Sequence, residues 1–218
     1  MNLHLLIAAP LLLLPTALHA AEPLDVTDIG TTCLASPLTG CTVQTAGFIN
    51  ADDTGAPSRL AWQTQSGVSA TDGSVGSFVL FQKTDNDWTV LDSAFDAARF
   101  LLPRQADWGL LHIPGYTAGT GSFNADRLYQ LTENSWTAID LDTWQNNIGP
   151  MLPAGLEIWK GVNYDFTTFY DDLNAKTSLW KSDDANCCPT GGSAVIHFAI
   201  EDGALVATGV DYTAPKTK

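Results

Sequence analysis

The stretch Leu80-Phe81-Gln82-Lys83-Thr84-Asp85-Asn86-Asp87-Trp88-Thr89-Val90-Leu91-Asp92 decides how this chain is read, because it returns as Leu128-Tyr129-Gln130-Leu131-Thr132-Glu133-Asn134-Ser135-Trp136-Thr137-Ala138-Ile139-Asp140. Seven of the thirteen positions are identical at a constant offset of 48 residues, and Phe/Tyr, Asp/Glu and Leu/Ile are conservative pairs. A strand-like run, an Asp/Glu-Asn turn and a second run opened by Trp form the pattern of a β-hairpin. A period of this size belongs to architectures in which one unit cannot bury its apolar face alone. Equivalent positions imply equivalent packing, so Trp88 and Trp136 are expected in matching, mostly buried sites.

Outward from the two copies, the turn signals keep returning. Asp202-Gly203 between Ala194–Ile200 and Leu205–Val210 marks a third hairpin. Arg59–Gln65, Trp108–Ile113 and Leu156–Lys160 also read as strands, while Ser93–Phe100 is a short helix or a wide loop. One helix is expected near residues 165–174, where Asp165 can cap and Phe166, Phe169, Tyr170 and Leu173 recur at helical spacing. The fold class is therefore mainly β, with antiparallel sheets built from repeated hairpins. A β-sandwich-like arrangement is the first choice and a small propeller-like array the second. Residues 56–212 read as a single β domain containing the repeat, preceded by an N-terminal segment over 21–55.

Residues 1–20 read as a signal peptide: Leu5–Leu14 is apolar, Pro15 breaks the run and Ala20 closes it with a small residue. The run is far short of the roughly 20 residues a spanning helix needs, so no membrane insertion is expected after cleavage. With 10 basic and 24 acidic residues the formal net charge is −14, which excludes nucleic acid as a partner. Cys33, Cys41, Cys187 and Cys188 follow the signal, and an even count in an exported chain points to disulfides before metal. Cys33 and Cys41 bracket a turn-like insert and are placed for a local bridge that staples the segment 21–55. The alternative is that Cys187 and Cys188 each reach one of that distant pair. Adjacent Cα atoms lie about 3.8 Å apart, below the usual disulfide range, so a vicinal Cys187–Cys188 bridge would be comparatively reducible. Local Cys33–Cys41 pairing with a vicinal Cys187–Cys188 is the favoured pattern.

Asp183-Asp184-Ala185-Asn186-Cys187-Cys188-Pro189-Thr190-Gly191-Gly192 cannot be regular secondary structure and reads as a constrained loop. Together with Gly155–Gly161 before it, the segment resembles uncharacterised exported bacterial β-rich proteins carrying D-x-N-C-C-P-x-G-G. The likeness covers the last third of the chain and implies no activity. Asp183, Asp184 and Asn186, with Trp159 and Trp180, form the candidate ligand-contacting set; the same acids lack the spacing of a calcium loop. No metal or cofactor is expected.

No catalytic residue is singled out. Gly119–Ser122 lacks the nucleophile-elbow pattern, and His112 and His197 lie in apolar runs that suit core histidines. The expectation is a periplasmic or secreted, non-catalytic binding module, its partner a glycan or a cationic protein. A hydrolase with a carboxylate-based site and an acidic inhibitor of a cationic enzyme are the alternatives.

Overall fold

A computed structural model describes residues 24–49, 59–85, 87–106, 109–117, 123–133, 135–167 and 173–216. Residues 1–20, read above as a signal peptide, residues 50–55 and Trp108 lie outside the described residues. Three antiparallel sheets and one two-stranded ribbon carry the chain. The first sheet has the order β1-β2-β3-β4-β7, from β1 (Thr39–Ile49), β2 (Leu60–Ser69), β3 (Gly73–Thr84), β4 (Asp87–Phe100) and β7 (Gly115–Thr117). The second runs β5-β6-β8-β9, from β5 (Arg104–Ala106), β6 (Leu110–Ile113), β8 (Arg127–Thr132) and β9 (Ser135–Ile139). The third runs β11-β12-β14-β15, from β11 (Asn163–Asp165), β12 (Leu173–Ser178), β14 (Ser193–Glu201) and β15 (Ala204–Thr213). The ribbon pairs β10 (Leu156–Glu157) with β13 (Trp180–Lys181).

Period-2 alternation explains the layering, since successive side chains on a strand point to opposite faces. On β6, Leu110 and Leu111 enter different cores, and on β8 Leu128 and Tyr129 do the same. The second sheet is thus buried on both faces. It packs against the third sheet through Leu110, Leu128, Ile196 and Phe198, and against the first through Leu60, Phe78, Leu111 and Tyr129. The outer face of the first sheet is covered by the N-terminal segment, where Val26 and Ile29 meet Ala61, Val79 and Phe81. That segment is held by polar contacts as well: Gln63 Nε2 donates to the carbonyls of Ile29 and Thr32, and Gln65 Nε2 donates to Leu34 O at 2.9 Å. Cys33 and Cys41 form a disulfide beside these contacts, with Cα atoms 6.2 Å apart.

The two copies of the repeated stretch form β3–β4 and β8–β9, with turns closed by Thr84↔Asp87 and Thr132↔Ser135. Asp85, Glu133 and the matching Asp202 of β14–β15 all take left-handed φ, at 54°, 57° and 49°. A two-residue hairpin loop with positive φ matches the strand twist, which is why Asp and Asn suit these turns. The likeness ends at the hairpin. One copy lies within a five-stranded sheet and the other at the edge of a four-stranded one. Trp136 is buried between sheets, whereas Trp88 is half-buried on the outer face, edge-on to Phe48. The hydroxyl of Tyr129 ties the copies by donating to Asp92 Oδ2 at 2.6 Å.

Two local expectations are corrected. The helix near 165–174 does not form at either end: Asp165 lies in β11, and Leu173 and Asn174 begin β12. Phe169 and Tyr170 of the expected helix lie outside the described residues, while Tyr164, paired in β11, stacks on Phe166 at 5.0 Å in the core between sheets. Ser93–Phe100 is neither helix nor loop but continues β4, which pairs with β3 through two register shifts and with β7 at its end.

The chain crosses between the first and second sheets at two short breaks, residues 101–103 between β4 and β5 and Pro114 between β6 and β7, with Leu101 N donating to Pro114 O at 2.8 Å at the bend. Gly115 makes this corner possible. A Cβ there would sit 2.6 Å from Ala125 O and 2.8 Å from the Phe100 ring, so only glycine lets the connection over 123–126 lie against β7.

Candidate functional site

The corner opens into a cleft of about 520 Å³. His112 reaches it from β6, Arg104 from β5, Tyr116 from β7 and Asp126 from the connection that Gly115 admits. Opposite them stand Lys160 and Tyr164 from the segment entering β11, and Trp180 of the ribbon. His112 and Asp126 are almost fully buried, and His112 Nε2 lies 2.6 Å from Asp126 Oδ1. The second carboxylate oxygen accepts from Asn124 Nδ2 at 2.8 Å. Asn124 is itself clamped, donating to Val162 O at 2.8 Å and accepting from Val162 N at 2.7 Å. These bonds settle the amide orientation, and the carboxylate fixes which imidazole nitrogen carries hydrogen: Nε2 donates, leaving Nδ1 to face elsewhere.

The ring is held by packing too. Phe166 meets it edge-on at 5.0 Å and Tyr164 at 6.4 Å. Tyr164 accepts from Trp144 Nε1 at 2.9 Å, and burial pushes its phenol well above the ordinary range, so it stays protonated. Trp144 is positioned by a short 3-10 turn over Thr143–Asn146, which Asp140 caps by accepting from the amides of Asp142 and Thr143.

Two polar atoms break the pattern. His112 Nδ1 and Trp180 Nε1 are buried and have no hydrogen-bond partner among the described residues. Their residues are only 3% and 7% exposed. A buried polar group left unpaired costs roughly 1–3 kcal/mol, and native folds rarely tolerate one without a reason. Here two of them line the same cleft.

A second cleft of about 530 Å³ adjoins the first and shares Phe123, Asn124, Lys160, Gly161 and Val162 with it. Exposed Phe123 and Trp159 stand on it, and half-exposed Tyr116 stands on the first, so an aromatic rim borders the pair. A larger trough of about 740 Å³ crosses the first sheet. Its hydroxyls and amides are paired within the sheet, as Thr45 with Thr64 and Gln44 with Ser66, both at 2.7 Å, so it makes no comparable demand.

The residues singled out from sequence divide between these regions. Trp180 lies in the first cleft and Trp159 in the second. Asp183, Asp184 and Asn186 line neither. Asp184 instead organises its own loop: its carboxylate accepts from Lys181 N at 2.8 Å, Thr190 N at 2.7 Å and Thr190 Oγ1 at 2.7 Å. Those hydrogen bonds, the Thr190 hydroxyl first, hold the Asp184 carboxyl below its usual range. Cys187 and Cys188 are bridged to each other on the same exposed loop, with Cα atoms 3.8 Å apart. Among the described residues no three His, Cys, Asp or Glu side chains gather as metal ligands. Sequence reading passed over His112, Asp126, Asn124 and Arg104. The signal available was the polar triplet Asn124-Ala125-Asp126 opening a strand beside one that carries a histidine.

No protein-family model, curated protein or solved structure matches the chain. No helix among the described residues is long and apolar enough to cross a membrane, and the Cys33–Cys41 disulfide is compatible with an oxidising compartment.

Proposed function

We propose that this chain is an exported, non-catalytic binding module that takes a carbohydrate into the paired clefts at the sheet corner. The observation that carries the reading is the pair of unpartnered buried nitrogens, His112 Nδ1 and Trp180 Nε1, in one cleft. A ligand hydroxyl answers both: it accepts from the indole N–H and donates to the imidazole lone pair. The rim of Tyr116, Phe123 and Trp159 offers the flat apolar faces that pyranose rings lie against. Clefts of this size, apolar at the rim with a few fixed polar groups inside, suit small ligands. The N-terminal signal pattern and the disulfide support a periplasmic or secreted location.

The test is a tryptophan-fluorescence titration with a panel of soluble oligosaccharides. At least one should saturate, and Trp180→Phe should weaken it about tenfold, the value of one lost buried hydrogen bond. A panel without any saturable response would end the carbohydrate reading. One observation favours a second reading: a cleft-lining histidine oriented by a carboxylate, with its other nitrogen unpartnered among the described residues, resembles the arrangement of a general base. Turnover of the panel, lost in His112→Gln, would establish a hydrolase in place of a binder.

A further inference from the structure

We infer that the saccharide taken by this site carries a carboxylate, as a uronic acid does; the inference rests on the carbohydrate reading and specifies its chemistry. The register of the second sheet places Arg104 directly across from His112. Cross-strand partners project on the same face with Cβ atoms roughly 4.5–5.5 Å apart. Both residues line the first cleft. Arg104 is exposed, and among the described residues it has no carboxylate partner.

The one carboxylate in the cleft does not fill that role. Asp126 spends one oxygen on His112 and the other on Asn124, so its charge lies beneath the imidazole. What the cleft presents to an anionic ligand is therefore the Arg104 guanidinium, across the strand pair from His112. A planar carboxylate matches an arginine fork in two parallel hydrogen bonds, and charge-assisted bonds are about twice as strong as neutral ones. The ring bearing that carboxylate then reaches the aromatic rim.

Calorimetry on the full chain separates this inference from the reading beneath it. The probes are trisaccharides of galacturonate, glucuronate and mannuronate, each beside its methyl ester, which keeps the shape and removes the charge. At least one acid form should bind tenfold or more tightly than its ester. Arg104→Gln, at an exposed position on an edge strand, should remove the preference without changing the melting temperature, and Arg104→Lys should restore part of it. Equal binding of acid and ester would overturn the carboxylate while leaving the carbohydrate reading standing. Failure of every acid, every ester and the neutral panel would overturn both.

Discussion

The loop over residues 183–190 and the cleft at the sheet corner are both rich in polar groups, but they treat those groups in opposite ways. In the loop, Asp184 accepts three hydrogen bonds from its own neighbours, and the two cysteines are bridged to each other. Nothing there asks for an outside partner. In the cleft, a buried Asp–His pair is satisfied on one side only, and among the described residues the buried His112 Nδ1 and Trp180 Nε1 have no hydrogen-bond partner. Chemically unusual residues that satisfy one another make a scaffold. Ordinary residues that stay unsatisfied under burial mark a candidate site, because a ligand that paired them would recover the cost of leaving them so.

The sharpest way to break the contrast is Asp126→Ala. It strips the buried histidine and Asn124 of their acceptor, and removing one partner of a buried pair costs roughly 3–5 kcal/mol. Urea unfolding should show this loss. A change under about 1 kcal/mol would mean that the pair is not held as described.

Gly115→Ala probes the corner rather than the chemistry. Its Cβ would press on Ala125 O and the Phe100 ring, and overpacking of this kind costs about 1–3 kcal/mol. Ligand affinity should fall with stability, since the connection carrying Asp126 is displaced. Unchanged binding in a destabilised protein would detach the corner from the site.

Trp180→Phe separates function from stability. It deletes an indole N–H that has no partner, so the unliganded protein should be as stable as the parent or slightly more so, while saccharide affinity drops about tenfold. A destabilised variant would show that the N–H is used within the protein.

The smallest effect belongs to the loop. Asp184 has a depressed folded-state pKa, so its contribution to loop order is present above the ordinary carboxylate value and is lost as pH falls through the lowered one. Amide exchange at Thr190 should remain slow at about pH 4 and rise only below it. Ligand binding at neutral pH should be the same in Asp184→Asn as in the parent. Loss of binding in that variant would join loop to cleft and end the distinction.

Strand and hairpin content was legible in the chain because it rests on local signals. Alternation around Leu80 and Leu128, Asp-Asn and Asp-Gly turns and a two-residue loop length are properties of neighbouring residues. The pairing of Cys33 with Cys41 was legible for the same reason, as a closure of nearby positions. The helix expected near 165–174 failed because aromatic spacing reports burial on one face of an element without saying which element. The partners that bury Tyr164 and Phe166 come from β6 and β14, far away in sequence. Trp88 and Trp136 show the same limit: one motif, one register, two exposures, set by what lies across from each sheet.

The site was hidden for a deeper reason. Sequence determined that His112 sits on a buried strand and that Trp180 precedes an unusual loop. Only the tertiary structure decided that Asp126, 14 residues on, caps one nitrogen of that histidine, that Arg104 stands across from it, and that Trp180 shares its cleft. Whether a polar atom is satisfied depends on every element packed around it, and that sum is not defined until the sheets have met.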